Sequence, residues 1–98
     1  MTDDRKGLNT SPAEYNNDGT RKDSKLADDY AGMGDCIKVI NEIISSGRYA
    51  TKAPSYRQAC VDRNVSHLEH MKAMTDWGSE DMTATTNAIT AGKGYTAS

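Results

Sequence analysis

Between residues 25 and 45 the chain carries its apolar side chains at helical spacing. Starting from Leu26, apolar or aromatic positions recur at steps of four, three, four, three and four residues. The members of this stripe are Leu26, Tyr30, Met33, Ile37, Ile40 and Ile44. Such a heptad-like spacing places side chains on one face of a helix. It therefore predicts a first helix, with Ser24 as its N-cap and Gly47 at its C-terminal end.

Two glycines interrupt this first predicted helix. Gly32 and Gly34 each cost a helix about 1 kcal/mol relative to alanine. They predict either a kink or a place where another backbone approaches closely. With a break there, the secure helix would cover only residues 35–45. The β-branched residues within 38–44 also leave a strand open as an alternative at this point.

Residues 55–75 predict a second helix, with Pro54 at or just before its start. Val61, Val65 and Leu68 form its apolar stripe. A neighbouring stripe of mixed polarity contains Cys60, Asn64, His67, Met71 and Met74. The pattern is typical of a half-buried helix, with methionines that fill gaps in a core.

The segment 76–81 predicts the start of a third helix, because Ser79 is a good N-cap and is followed by two acidic residues. Gly92 and Gly94 would close this helix. The short connection to the second helix favours a helical hairpin. Trp77 lies at the elbow between the two helices and is the best candidate for a hydrophobic anchor.

Residues 1–24 are charged and polar, and only Leu8 and Tyr15 could anchor them. Such a segment buries too little apolar surface to offset the entropy cost of ordering it. Two interpretations remain open, a flexible tail or an extended arm that becomes ordered along a neighbouring subunit. The predicted fold is thus mainly α, a small bundle of about three helices over residues 25–98 with an extended N-terminal arm over residues 1–24.

The predicted core is thin. Only 36% of the residues are hydrophobic, there is no Phe, and Leu occurs only at positions 8, 26 and 68. A chain of this kind often needs an oligomer or partner to complete its core. One flank of the first helix should therefore be available to other protein subunits, either copies of itself or other proteins. The predicted partner-binding residues are Leu8, Tyr15, Tyr30, Met33, Ile37, Ile40, Ile44 and Trp77.

Charge and hydropathy exclude several function classes. The net charge is −2, from 12 basic and 14 acidic residues, and the basic residues are scattered. This argues against nucleic acid as a partner, since nucleic-acid binders usually carry a basic excess or stripe. The N-terminus has no apolar segment typical of a secretory signal, and no apolar run approaches the ~18 residues of a membrane span. We expect no membrane contact, and a protein of the host cytoplasm or the virion, with reduced thiols.

Few residues suggest chemistry. His67 and His70 share a helix face, and Cys60 and Cys36 could complete four zinc ligands, but the close ligand spacing of known zinc motifs is missing. A cysteine nucleophile would need an orienting group and an oxyanion site, which nothing in the sequence indicates. No motif points to a small molecule. We expect two free cysteines and no catalytic, cofactor-binding or metal-binding residue.

A family resemblance comes from the second half of the chain. Its motifs are Ser55-Tyr56-Arg57-Gln58-Ala59-Cys60, Asn64 to His67, Asp76-Trp77-Gly78-Ser79-Glu80-Asp81-Met82-Thr83 and Ala91-Gly92-Lys93-Gly94-Tyr95. This stretch, within residues 55–95, resembles small accessory proteins of tailed bacteriophages. The resemblance implies a non-enzymatic virion component of the capsid or tail, whose partners are copies of itself or other virion proteins. The alternative is a small phage inhibitor that blocks a host protein, and a weak enzyme or metal protein is a third possibility.

Overall fold

The computed structural model describes residues 14–16 and 18–98. It contains three helices: α1, Asp23–Ser45; α2, Pro54–Lys72; and α3, Thr83–Lys93. Within those residues there is no strand, only an isolated antiparallel bridge between Tyr15 and Arg21. The predicted mainly α bundle of three helices is confirmed. The strand alternative for residues 38–44 is wrong, because these residues lie inside α1. Leu8 lies outside the described residues.

The start of α1 differs from the prediction. The N-cap is Lys22, in an extended conformation, and Ser24 lies inside the first turn. The Lys22 N–H donates to the Glu14 carbonyl at 2.8 Å. This bond and the adjacent Tyr15–Arg21 bridge close a turn ahead of α1, in which the Asn16 N–H donates to the Thr20 carbonyl at 2.7 Å. Lys22 makes no side-chain capping bond, and the helix begins where this turn ends.

The glycines of α1 do not interrupt the helix, which runs unbroken through Gly32 and Gly34. A Cβ added at either position would have no described atom within 4 Å, so no backbone of the described residues approaches them closely. At the far end of α1, Gly47 follows the C-cap Ser46 with φ +74°. That left-handed conformation favours glycine, and the predicted role of Gly47 in ending the helix is confirmed.

The hairpin of α2 and α3 is present, with shifted boundaries. Pro54 occupies the first turn of α2, as predicted, and the helix ends at Lys72 rather than Thr75. Ser79 is exposed and does not cap α3, which begins only at Thr83. Gly78 has φ +67°, and the chain makes a turn at Gly78 and Ser79 before α3 begins. Asp81 takes the capping role, since its Oδ1 accepts a hydrogen bond from the Thr83 N–H at 2.9 Å.

The core lies where the three helices meet, and each helix contacts the other two. Its buried apolar members are Met33, Ile40, Ile43, Cys60, Val61, Val65, Leu68, Trp77 and Ala88. Partly buried residues complete it, among them Met71, Met74 and Met82. The methionines therefore serve as core filling, as their positions predicted.

Gly92 allows α3 to pack closely on α2. It is buried inside the last turn of α3, and a Cβ there would lie 2.3 Å from Val65 Cγ2 and 3.4 Å from Val61 Cγ1. We expect Gly92→Ala to lower the free energy of unfolding by about 1–2 kcal/mol, because an overpacking cost of ~1–3 kcal/mol exceeds the gain in helix propensity. Urea unfolding measures this. Gly94→Ala is the control, since its Cβ would meet only ordinary contacts at 3.7 Å. Equal stability of the two variants would contradict the close approach.

Candidate protein-interaction surface

The predicted partner-binding residues divide into buried and surface groups. Met33, Ile40 and Trp77 are only 1%, 0% and 7% exposed, so in this fold they build the core. Tyr15, Tyr30 and Ile37 are half-buried, and Ile44 is 40% exposed. The apolar stripe of α1 is therefore covered along its centre by α2 and α3, and one side of it reaches the surface.

We call this side the open flank of α1, comprising Leu26, Tyr30, Gly34, Ile37 and Ile44. At 100° per residue these five positions fall within an arc of about 80° on the helix. A hollow of about 230 Å³ opens along the flank between α1 and α3. Its lining consists of Tyr30, Met33, Gly34, Ile37, Ala84 and Thr85. The flank thus presents apolar side chains beside a small depression.

A second depression lies at the beginning of α1, and we call it the acidic cleft. It measures about 370 Å³ and is lined by Asp23, Leu26, Ala27, Tyr30, Ala31 and Glu80. The Tyr30 hydroxyl donates to the Asp81 carbonyl at 2.7 Å, which holds the segment before α3 against α1. Asp23 and Glu80 are exposed. The cleft therefore combines an apolar lining with two solvated carboxylates.

The opposite end of α1 carries a basic loop, defined as residues 46–53 together with Tyr56. The aromatic rings of Tyr49 and Tyr56 pack in a T-shaped arrangement with their centroids 5.6 Å apart, and Tyr56 is 47% exposed. The Arg48 guanidinium lies 4.9 Å from the Tyr49 ring centroid and 3.1 Å from a Glu42 carboxylate oxygen. The Lys52 amine lies 5.7 Å from the Tyr56 ring. The loop contains two basic residues, Arg48 and Lys52, and no acidic one.

Tyr49 holds an unusual backbone conformation for a residue with a side chain, with φ +63°. Left-handed non-glycine residues are uncommon and concentrate at functional sites. Sequence reasoning did not select this loop, because it has no helical periodicity. The alternation of basic and aromatic residues from Arg48 to Arg57 was the one available signal.

Arg21 fastens the segment before α1 to the folded unit. Its side chain is 2% exposed and pairs with Asp29 and Asp76. Nε lies 3.0 Å from Asp76 Oδ2, Nη1 lies 2.8 Å from Asp29 Oδ2, and the backbone N–H also donates to Asp76. The guanidinium lies 4.1 Å from the Trp77 ring centroid. We call this arrangement the Arg21 latch.

The latch lies within the segment 1–24, for which the sequence predicts a flexible tail or an extended arm. Arg21 is buried, so this part of the segment belongs to the folded unit. The hydrogen bonds from the Arg21 guanidinium hold the pKa of Asp76 down at about 2. Composition could not indicate this, because the carboxylates that pair with Arg21 lie 8 and 55 residues away along the chain.

The residues considered for chemistry are not brought together. His67 and His70 are exposed, while Cys60 is buried and Cys36 is half-buried, both as free thiols. Burial raises the pKa of the Cys36 thiol. Over residues 14–16 and 18–98, no group of His, Cys, Asp and Glu is placed to hold a metal ion, and no helix is long and apolar enough to cross a membrane. The chain matches no protein-family model, no curated protein and no solved structure.

Proposed function

We propose that this chain is a non-enzymatic structural protein that binds neighbouring protein subunits through the open flank of α1. The observation that carries the proposal is the flank itself, where apolar side chains and the acidic cleft lie at the surface beside exposed charges. An apolar patch rimmed by polar groups is typical of protein interaction sites. Ile44, at 40% exposure, provides an apolar contact at the far end of the flank.

The extent and charge of this surface favour a protein partner over other ligands. Its two depressions, of about 230 and 370 Å³, both border Tyr30 and follow one another along α1, so together they form an extended surface rather than a single pocket. Asp23 and Glu80 on the acidic cleft would repel nucleic-acid phosphates. A helix of another subunit, by contrast, can place side chains into both depressions along a single face.

We place the protein in the particle of a tailed bacteriophage, as an accessory component of the capsid or tail. The resemblance within residues 55–95 supports this placement. The Arg21 latch supports an arm, because it anchors the chain preceding α1 at a defined point of the folded unit. In this proposal Leu8 and Tyr15 contact the neighbouring subunit as the arm becomes ordered.

Gradient-purified phage particles test the proposal. We expect quantitative mass spectrometry to find the chain at a constant ratio to the major capsid or tail protein. Particles assembled with Gly34→Gln should lose the chain, since the longer side chain obstructs the open flank. Particles assembled with the matched control Gly32→Gln should retain it. Absence from particles, together with a one-to-one complex that inhibits a host enzyme, would establish the inhibitor alternative instead.

A further inference from the structure

We propose that two copies of this chain pair through the open flanks of their α1 helices, with the helices antiparallel. The pairing rests on the proposed function and names its first partner, a second copy of the chain. Each copy would place Ile44 and the basic loop against the acidic cleft of the other. The same contact would then occur twice, related by a two-fold axis.

The two complementary surfaces lie at opposite ends of one helix. The acidic cleft involves the first turns of α1, and Ile44 and the basic loop lie at its last turn and beyond. A helix of 23 residues is about 34 Å long at 1.5 Å per residue, so a chain cannot bring its own loop to its own cleft. An antiparallel second copy brings both loops to both clefts at once.

The spacing of the flank residues defines a register. Ile37 lies midway between Tyr30 and Ile44 along the sequence. Antiparallel helices with Ile37 facing its counterpart therefore place Tyr30 of each copy opposite Ile44 of the other. The count ends at Ser45, the last residue of α1, and beyond it the basic loop continues toward the first turns of the other copy. Apolar positions thus face apolar positions, and the end of α1 that carries the basic loop lies toward the end that carries the acidic cleft.

Charge selects this direction over a parallel pair. Parallel helices would place the two basic loops side by side and the two acidic clefts side by side. Like charges held together across an interface are unfavourable, whereas opposite charges fix the orientation of partners. Arg48 is already paired with Glu42, so Lys52 supplies the positive charge that meets Asp23 and Glu80 in the antiparallel arrangement.

Small residues allow the two helices to approach. Gly34 lies on the flank, and a Cβ there would meet no described atom within 4 Å, so its face of α1 is open. Ala27 and Ala31 are exposed on the same side of the helix. A glycine in a helix costs about 1 kcal/mol relative to alanine, and within the described chain Gly34 gains no close contact in return. In the proposed pair, the absence of a side chain at Gly34 lets the α1 helix of the second copy approach closely.

Light scattering on the full chain over about a hundredfold concentration range tests the pairing, because the dimer fraction must follow mass action. We expect a species of twice the 10.7 kDa chain mass at high concentration. Gly34→Gln should abolish it while leaving the helical circular dichroism unchanged. Gly32→Gln is the matched control, two residues and about 200° away on the same helix, and should dimerise normally.

A charge exchange tests the direction of pairing. Lys52→Glu alone and Asp23→Lys alone should each weaken dimerisation about tenfold, since each change occurs twice in a symmetric dimer. An equimolar mixture of the two variants should recover the dimer, because acid then faces base at both contacts. Lys72→Glu makes the same charge change in a groove between α2 and α3 and should have no effect.

The outcomes separate this inference from the proposed function. A monomer at all concentrations overturns the pairing, and so does a dimer that Gly34→Gln leaves intact. Oligomers larger than a dimer would show that the contact is not closed by a two-fold axis, and would overturn the pairing. Recovery of the chain in phage particles together with a monomer in solution would retain the proposed function and reject only the pairing. Absence of the chain from particles together with a dimer in solution would retain the pairing and reject the proposed function.

Discussion

Replacement of Trp77 by alanine is expected to lower the free energy of unfolding by about 3–5 kcal/mol, the usual cost of truncating a buried tryptophan. The indole is 7% exposed and lies at the elbow between α2 and α3. Its Nε1–H donates to the Met71 carbonyl at 2.7 Å, and the Tyr30 ring lies 6.0 Å away in a T-shaped arrangement. The substitution would leave a cavity in a domain with a small core and would remove one hydrogen bond to the Met71 carbonyl, which keeps the bond from the Met74 N–H at 3.1 Å.

Thermal and urea unfolding, followed by circular dichroism, measure this loss. Trp77→Phe is the control, because it retains an aromatic ring and removes only the N–H donor and part of the indole volume. We expect it to lose less than half as much stability as Trp77→Ala. If Trp77→Ala were as stable as the wild type, the elbow would not be the anchor of the fold.

The second large effect is expected at the Arg21 latch. Removing one partner of a buried ion pair costs about 3–5 kcal/mol, and we expect about 2–3 kcal/mol for Arg21→Met, because water still reaches the carboxylates. The side chains of Asp29 and Asp76 are 12% and 16% exposed. Lys22→Met is the matched control, since it removes the same charge from the exposed neighbouring position. Equal stability of the two variants would show that the latch contributes nothing.

Acid titration identifies the ion pair as the cause. Asp76 has a pKa of about 2 in the folded chain, below its ordinary value of 3.8. A lowered folded pKa stabilises the fold above pH 4, and this stabilisation is lost as the pH falls from about 4 to about 2. The stability difference between wild type and Arg21→Met should therefore shrink over that range. A difference that stays constant with pH would assign the loss to packing alone. Trp77, the one tryptophan of the chain, provides a fluorescence signal beside the latch.

Both expected losses concern the same region, because the Arg21 guanidinium lies over the Trp77 ring. The latch and the elbow lie near the acidic cleft, which α1 forms together with Glu80. Destabilising this region should therefore impair the proposed interaction surface as well as the fold. For that reason the flank itself is tested with Gly34, Lys52 and Asp23, which lie outside the core.

Local sequence by itself determined the helices of this protein. The step pattern from Leu26 to Ile44 predicted α1, Pro54 predicted the start of α2, and Gly47 predicted the end of α1. Each signal acts within one or two turns of chain, through helical periodicity or through the φ angle that the residue allows. The same pattern identified the stripe on α1, though it could not show that α2 and α3 cover its centre and leave one flank at the surface.

The tertiary structure alone decided the features that join distant parts of the chain. Arg21 is buried because Asp76, 55 residues away, meets it at the elbow. Gly92 is required because Val65 on another helix approaches it, and α3 begins at Thr83 rather than Ser79 because the chain turns through Gly78 after the buried Trp77. Tyr49 and Tyr56 come together only when the loop folds back on α2. Periodicity and propensity describe a residue's near neighbours along the chain, whereas these features depend on which surfaces meet when the three helices pack.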